Sequence, residues 1–274
     1  MTELELRAHK IEAVGAIENL MALHSYYHAA DMNREELDNC WSQEREAEVI
    51  WSQNFGRWQG LRKKLYPMYA GDNKYTDAEW LKSKIIKAHP EMEEAIKDLD
   101  GRALAEMPVH VLASPVIEIA EDGMSAKGLW YTPGFALRHD YVKGTVDVAW
   151  MWEKYGADFV WENGEWKFLH IQIGMDIMAN YGESWAEPKP MGGPGGPGGP
   201  GPAAPPPEEK KPEKKEVPVG KDGKKLKVAP SMGGGMACPP DGPGKYSIYS
   251  RTRVPSEYPK IPEPYTTLSE TFSY

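Results

Sequence analysis

Tyr155-Gly156-Ala157-Asp158-Phe159-Val160-Trp161-Glu162-Asn163-Gly164-Glu165-Trp166-Lys167-Phe168 sets an Asn-Gly pair between two blocks rich in aromatic and β-branched residues. Asn-Gly accepts the two positive φ values of a type I′ turn, whose twist matches that of paired strands. The stretch therefore predicts a hairpin joining residues 145–162 to 165–178. Two further blocks, 110–120 and 125–142, have the same strand-like character and are marked off by Glu121-Asp122-Gly123 and by Gly144. Long strands joined by tight turns imply an antiparallel, strongly curved sheet.

Upstream the period is helical. Ile11, Val14, Ile17, Leu20, Met21 and His24 advance at helix spacing, so residues 3–30 read as one helix. A short helix at 34–40 follows, then a strand at 47–52, turns at Gly56 and Gly60, and helices at 61–69 and 76–99, the last opening on Thr76-Asp77-Ala78-Glu79, the form of a capping box. Helices first and strands afterward define an α+β domain over residues 1–185, its curved antiparallel sheet covered by the N-terminal helices in a cone-like barrel. The space between helix and sheet is a natural pocket.

Beyond that domain the composition changes. Residues 186–230 are dominated by Gly, Pro, Lys and Glu, which cannot build a core and predict a linker. Residues 231–274 regain aromatics among prolines, including Tyr246, Tyr249, Tyr258, Tyr265, Phe272 and Tyr274. Aromatics at that density predict an arm that packs on its own or a neighbouring subunit.

The net charge of −9, with the lysine-rich linker set against an acidic domain, argues against nucleic acid as partner. The acidic start Met1-Thr2-Glu3-Leu4-Glu5-Leu6 has no signal-peptide pattern, and no apolar run reaches membrane length. Cys40 and Cys238 form no Cys-x-x-Cys pair. These features predict a cytoplasmic chain without membrane contact. The absence of a phosphate loop, nucleotide fingerprint or nucleophile motif predicts chemistry without a cofactor.

The end of the first helix, Leu23-His24-Ser25-Tyr26-Tyr27-His28-Ala29-Ala30-Asp31, carries the chemistry. His24, Tyr27, His28 and Asp31 fall at i, i+3, i+4 and i+7, on the face that Ile17, Leu20 and Met21 mark as buried. Titratable groups on a buried face predict a pocket, because desolvation shifts their pKa values toward use as acids and bases. His24 and His28 at i, i+4 have, with Asp31, the spacing of a metal site, but no adjacent Glu base or obvious third ligand accompanies them and no metal is assigned. Trp51 and Trp130, on strands near this helix end, are candidate cavity walls for a flat hydrophobic substrate.

In order and spacing, four strings resemble the SnoaL-like polyketide cyclase and dehydratase family of the nuclear-transport-factor-2-like fold. They are Ala16-Ile17-Glu18-Asn19-Leu20 running into Tyr26, Tyr27 and Asp31; His110-Val111-Leu112-Ala113-Ser114-Pro115-Val116-Ile117-Glu118-Ile119; Gly128-Leu129-Trp130-Tyr131; and the hairpin above. The resemblance to the scytalone and bile-acid 7-alpha dehydratases of that group implies a His110 base partnered by Asp31, with a helix tyrosine as proton donor. The family's spacing selects Tyr26, whereas helical phase selects Tyr27, which is preferred. His24, His28, Tyr26, Trp51 and Trp130 then line the substrate site. At Trp130-Tyr131-Thr132-Pro133-Gly134 the chain lacks the carboxylate that the bile-acid enzymes carry after their Trp-Tyr.

The expected function is a cofactor-independent dehydratase or cyclase acting on a hydrophobic, carbonyl-bearing ring compound. A non-catalytic small-molecule-binding or assembly module, and an epoxide hydrolase, are the alternatives. The family also implies a homo-oligomer, dimer or trimer.

Overall fold

The computed structural model describes residues 1–30, 32–54, 56–70, 78–98, 106–140, 145–184, 238, 240–243 and 258–268. Asp31, the linker at 186–230, Thr76 and Asp77 of the expected capping box, and Tyr246, Tyr249, Phe272 and Tyr274 lie outside the described residues.

The first helix, α1 (Glu3–Ala29), starts on a capping box that was not anticipated: the Thr2 amide donates to Glu5 and the Glu5 amide returns to Thr2 Oγ1. Its buried face is Ala13, Ile17, Leu20, Met21 and His24. Ile11 and Val14, expected on that stripe, face solvent, so the apolar face begins a turn later than the sequence pattern suggests. Next comes α2 (Asn33–Cys40), which buries Asn33, Glu36, Leu37 and Cys40.

Residues 61–70 form a π-helix in which the amides of Lys64 and Leu65 both reach Gly60 O. The wider coil carries Pro67 and turns Leu61, Leu65, Met68 and Tyr69 inward. The helix expected at 76–99 is broken. His89 precedes Pro90, which disfavours helical geometry at His89, and α3 (Ala78–Ala88) is followed by a short 3₁₀ turn and α4 (Glu93–Ile96).

Among the described residues seven strands form one open, curved sheet: β1 (Ile50–Gln53), β2 (Gly56–Gln59), β3 (Glu106–His110), β4 (Ala113–Ile119), β5 (Ser125–Asp140), β6 (Thr145–Glu162) and β7 (Glu165–Asn180). They run in the order β2-β1-β7-β6-β5-β3, with β4 paired to the other half of β5. All pairs are antiparallel except β1 with β7. The Asn-Gly turn forms as expected, with φ of 53° at Asn163 and 86° at Gly164. β2 replaces the turns expected at Gly56 and Gly60, which flank a short strand centred on Arg57-Trp58.

The block expected as one strand at 110–120 is two, broken after His110. Val111 donates to Pro133 O, Ser114 takes a positive φ of 51°, and the register shifts between Ala113 and Val116. The bulge redirects the chain next to the site, a common use of bulges. The core lies between α1 and the inner sheet face, with Trp41, Trp51, Trp58, Tyr155, Phe159 and Phe168 as its largest fully buried rings.

Two late segments complete the domain. Residues 240–243 cover the β2 edge, where Arg57 and Gly242 form a bridge and Lys64 Nζ meets Asp241 at 2.7 Å, so the edge strand is not left open. Residues 258–268 cross the outer sheet face: the Tyr258 hydroxyl donates to Gln172 at 3.2 Å, and Tyr265 and Thr266 accept from the amides of Glu121 and Asp122. Beneath Tyr265 lies a buried ionic row from three adjacent strands. Lys127 Nζ is 3.0 Å from Asp158, and His170 places Nδ1 2.7 Å from Asp158 and Nε2 3.1 Å from Glu48 O. No helix among the described residues is long and apolar enough to cross a membrane.

Candidate active site

α1 and the β3 break bring together the two parts of the sequence with expected chemistry. Ser25 Oγ donates to His110 O at 2.7 Å, which ties the end of β3 to the helix. His24, His28 and His110 then form a ladder: the first two rings are 5.8 Å apart and tilted by 6°, the second pair 5.3 Å apart and tilted by 22°. Tyr155, from the middle of β6, stands beside both ends, 5.6 Å from the His24 ring and 5.7 Å from that of His110.

Each end of the ladder meets a buried carboxylate that sequence reasoning missed. At one end Glu36 accepts from His24 Nδ1 at 2.9 Å, Trp41 Nε1 at 3.0 Å and the Tyr69 hydroxyl at 2.8 Å. Glu36 shares the buried face of α2 with Asn33, Leu37 and Cys40, and a charged residue at that phase was the available signal. The Tyr69 hydroxyl also lies 3.1 Å from His28 Nδ1, which is 3.2 Å from Asn33 Oδ1.

At the other end Glu153 Oε2 lies 3.0 Å from His110 Nδ1, with both side chains only 4 % exposed. The distance is that of an ion pair, but the atoms are out of line and neither is hydrogen-bonded. Glu153 keeps the inward parity of Tyr155 and Ala157 on β6, and that alternation was its signal. It pairs in register with Thr132, whose buried hydroxyl also lacks a hydrogen-bond partner. Glu153 thus puts a buried carboxylate on the strand beside Trp130-Tyr131-Thr132.

Burial, and then the neighbouring His110 and His24, hold His28 well below the ordinary histidine value. Burial also raises the Tyr155 phenol well above its usual value, and the charge and hydrogen bond of Glu153 add to this. Both shifts favour neutral forms.

The other expected residues are placed as follows. Trp51 is buried, 6.1 Å from the His24 ring and 4.3 Å from that of Tyr69. Trp130 is buried opposite Tyr155 in the register, its ring edge on Phe159. Tyr26 is 78 % exposed, whereas His24 beside it is fully buried. Tyr27 lines a separate groove of about 430 Å³ beside α1, with Leu20, Leu23, Trp161 and Trp166. The helix turns by about 100° per residue, which carries Tyr27 off the edge held by His24 and His28. Among the described residues no group of three or more His, Cys, Asp or Glu side chains is arranged to hold a metal ion.

A curved sheet with helices over a polar-lined interior defines a small-molecule-binding α+β fold. The SnoaL-like domain profile matches residues 9–172, and the chain belongs to that family. No curated protein matches the sequence. Among solved structures, a scytalone-dehydratase-like protein from Novosphingobium aromaticivorans DSM 12444 is 11% identical, covering 65% of this chain and 93% of that one, with a TM-score of 0.42. The hexachlorocyclohexane dehydrochlorinase LinA-type3 from Novosphingobium barchaimii LL02 is also 11% identical, covering 64% and 94%, with a TM-score of 0.41. An NTF2-like protein with a cystatin-like fold from Novosphingobium aromaticivorans is 14% identical, covering 64% and 89%, with a TM-score of 0.36.

Proposed function

We propose that the chain is a cofactor-independent lyase, a dehydratase or cyclase, that removes a proton beside the carbonyl of a hydrophobic ring compound. The observation that carries this reading is the buried approach of Glu153 to His110 at 3.0 Å, with neither atom engaged elsewhere. A turn of the His110 ring that brings Nδ1–H into line with the carboxylate leaves the Nε2 lone pair as the base, and Glu153 stabilises the imidazolium that forms. Glu153 takes the part that the family resemblance gave to Asp31. Tyr155, kept protonated by burial and by its hydrogen bond with Glu153, replaces Tyr27 as the donor, its hydroxyl turning from the carboxylate to the oxygen that gains charge as the enolate develops. Neutral His28 lies against His110 without adding a second positive charge.

Proton abstraction can be measured before the natural substrate is known. In D₂O the full-length protein is expected to accelerate deuterium uptake beside the carbonyl of 2-tetralone, followed by proton NMR. His110→Asn is expected to abolish the acceleration. An unaccelerated wild-type reaction across a panel of bicyclic ketones, or full activity in His110→Asn, would overturn the proposal.

A further inference from the structure

The two carboxylates at the ends of the histidine ladder are not equally well held. Glu36 accepts from three donors, His24 Nδ1, Trp41 Nε1 and the Tyr69 hydroxyl. Glu153 accepts from the Tyr155 hydroxyl, while its Oε2 is buried without a hydrogen-bond partner. The proposed enolate step draws Tyr155 away from it. A buried carboxylate that loses its donor is strongly destabilised unless another takes its place.

One further donor faces it. Thr132 of β5 stands directly opposite Glu153 of β6 in the register, and both side chains are buried. Side chains so paired lie on the same sheet face with Cβ atoms ~4.5–5.5 Å apart, a gap that a hydroxyl and a glutamate close between them by rotation. The Thr132 hydroxyl has no hydrogen-bond partner, an uncommon state for a fully buried group. A carboxylate oxygen accepts two hydrogen bonds, so Oε2 has room for Thr132 as well as for His110 Nδ1. We infer that Thr132 is a positioning residue, whose hydroxyl donates to Glu153 Oε2 as Tyr155 turns to the substrate and so keeps the carboxylate aimed at His110. This deepens the proposed lyase reading and rests on it for the turn of Tyr155. Because Thr132 is unbonded in the resting structure, it needs to break nothing to take over. It acts through Glu153 alone, while His110 acts as base.

Two measurements on the full-length protein test this. In deuterium uptake by 2-tetralone, Thr132→Val is expected to lower kcat about tenfold with KM unchanged, the worth of one hydrogen bond, and Thr132→Ser to restore it. Thr132→Val should not lower the melting temperature, because the hydroxyl it removes has no partner in the resting structure. Tyr155→Phe mimics the tyrosine that has turned away, and leaves Thr132 as the hydroxyl available to Glu153. In that background Thr132→Val is expected to lower the melting temperature by ~2–4 °C. Such a dependence on Tyr155 is a coupling that a threonine serving packing alone would not show. Wild-type kcat in Thr132→Val, no rescue by Thr132→Ser, or an equal melting-temperature change in both backgrounds overturns the assignment. A wild type that takes up no deuterium, with the coupling to Tyr155 still present, overturns the lyase reading and leaves the bond from Thr132 to Glu153 standing.

Discussion

Glu153 and His110 meet across a strand that belongs to neither of them. His110 on β3 pairs with Gly134 of β5, and Glu153 on β6 pairs with Thr132 of the same strand, so the 3.0 Å approach passes over β5 beside a residue with no side chain. The pair therefore depends on the sheet register as much as on the two residues. If the carboxylate orients and stabilises the base, Glu153→Gln is expected to slow deuterium uptake by roughly 10²–10⁴. Equal rates in wild type and Glu153→Gln would leave His110 without its partner.

Gly134 is tightly constrained. A Cβ placed there would sit 1.9 Å from Val109 O, a backbone atom that cannot swing aside. Gly134→Ala must push β3 off β5. It is expected to cost about 1–3 kcal/mol in denaturant unfolding, in the range of overpacked sites. Deuterium uptake should fall as well, because His110 is the last residue of β3. Retained stability would show that β3 can retreat freely.

His28 sets a pH dependence. Its folded pKa lies below the ordinary histidine value of about 6.5, so between the two values the unfolded chain binds the extra proton. Its contribution is therefore complete above about pH 6.5 and is lost as the pH falls below it, through the folded value. Melting temperature is expected to decline from pH 7 to pH 5 in the wild type and less steeply in His28→Gln. Identical slopes would remove His28 as the source.

On the outer face, Asp158 stays below the usual carboxylate range. Burial acts to raise it, but the hydrogen bond and charge of His170, together with Lys127, outweigh that. Asp158→Asn would leave Lys127 and His170 buried without their counter-charge. It is expected to cost about 3–5 kcal/mol, the penalty for breaking a buried pair. Asp158→Asn with wild-type stability would mean that water reaches the row.

The arm is testable by removal. A chain ending at Ser184 loses Tyr258, Tyr265 and the cover over Lys127. Its melting temperature is expected to fall by several degrees, since a loss of about 1–2 kcal/mol lowers it by ~2–8 °C in domains of this size range. No change would show that the outer face is stable bare.

The sheet was legible because its signals are local. Asn163-Gly164 specifies its own turn, and alternation within 145–178 needs no distant partner. β2 and the break after His110 were not legible. Each depends on what lies across it: β1 and residues 240–243 in one case, Ser25 and Pro133 in the other. His24 and His28 were found from helical phase, which also predicted Tyr27 a little too far round the helix. Glu36 and Glu153 were overlooked because charge on a short helix or a strand reads as solvent exposure until the facing histidine is in place. His110 came from family resemblance, whereas its carboxylate partner emerges only once β5 lies between β3 and β6.

The turn between β4 and β5 is held from both directions along the chain. His9 of α1 bonds Gly123 O at 2.8 Å, while Tyr265 and Thr266 take the amides of Glu121 and Asp122. A growing chain can set the first grip as soon as β5 exists, but the second must wait for residues made long after β7. Until then Lys127, Asp158 and His170 lie under an uncovered face. The residues that seal the outer side are thus the last of the described chain to be made, after every strand of the pocket side.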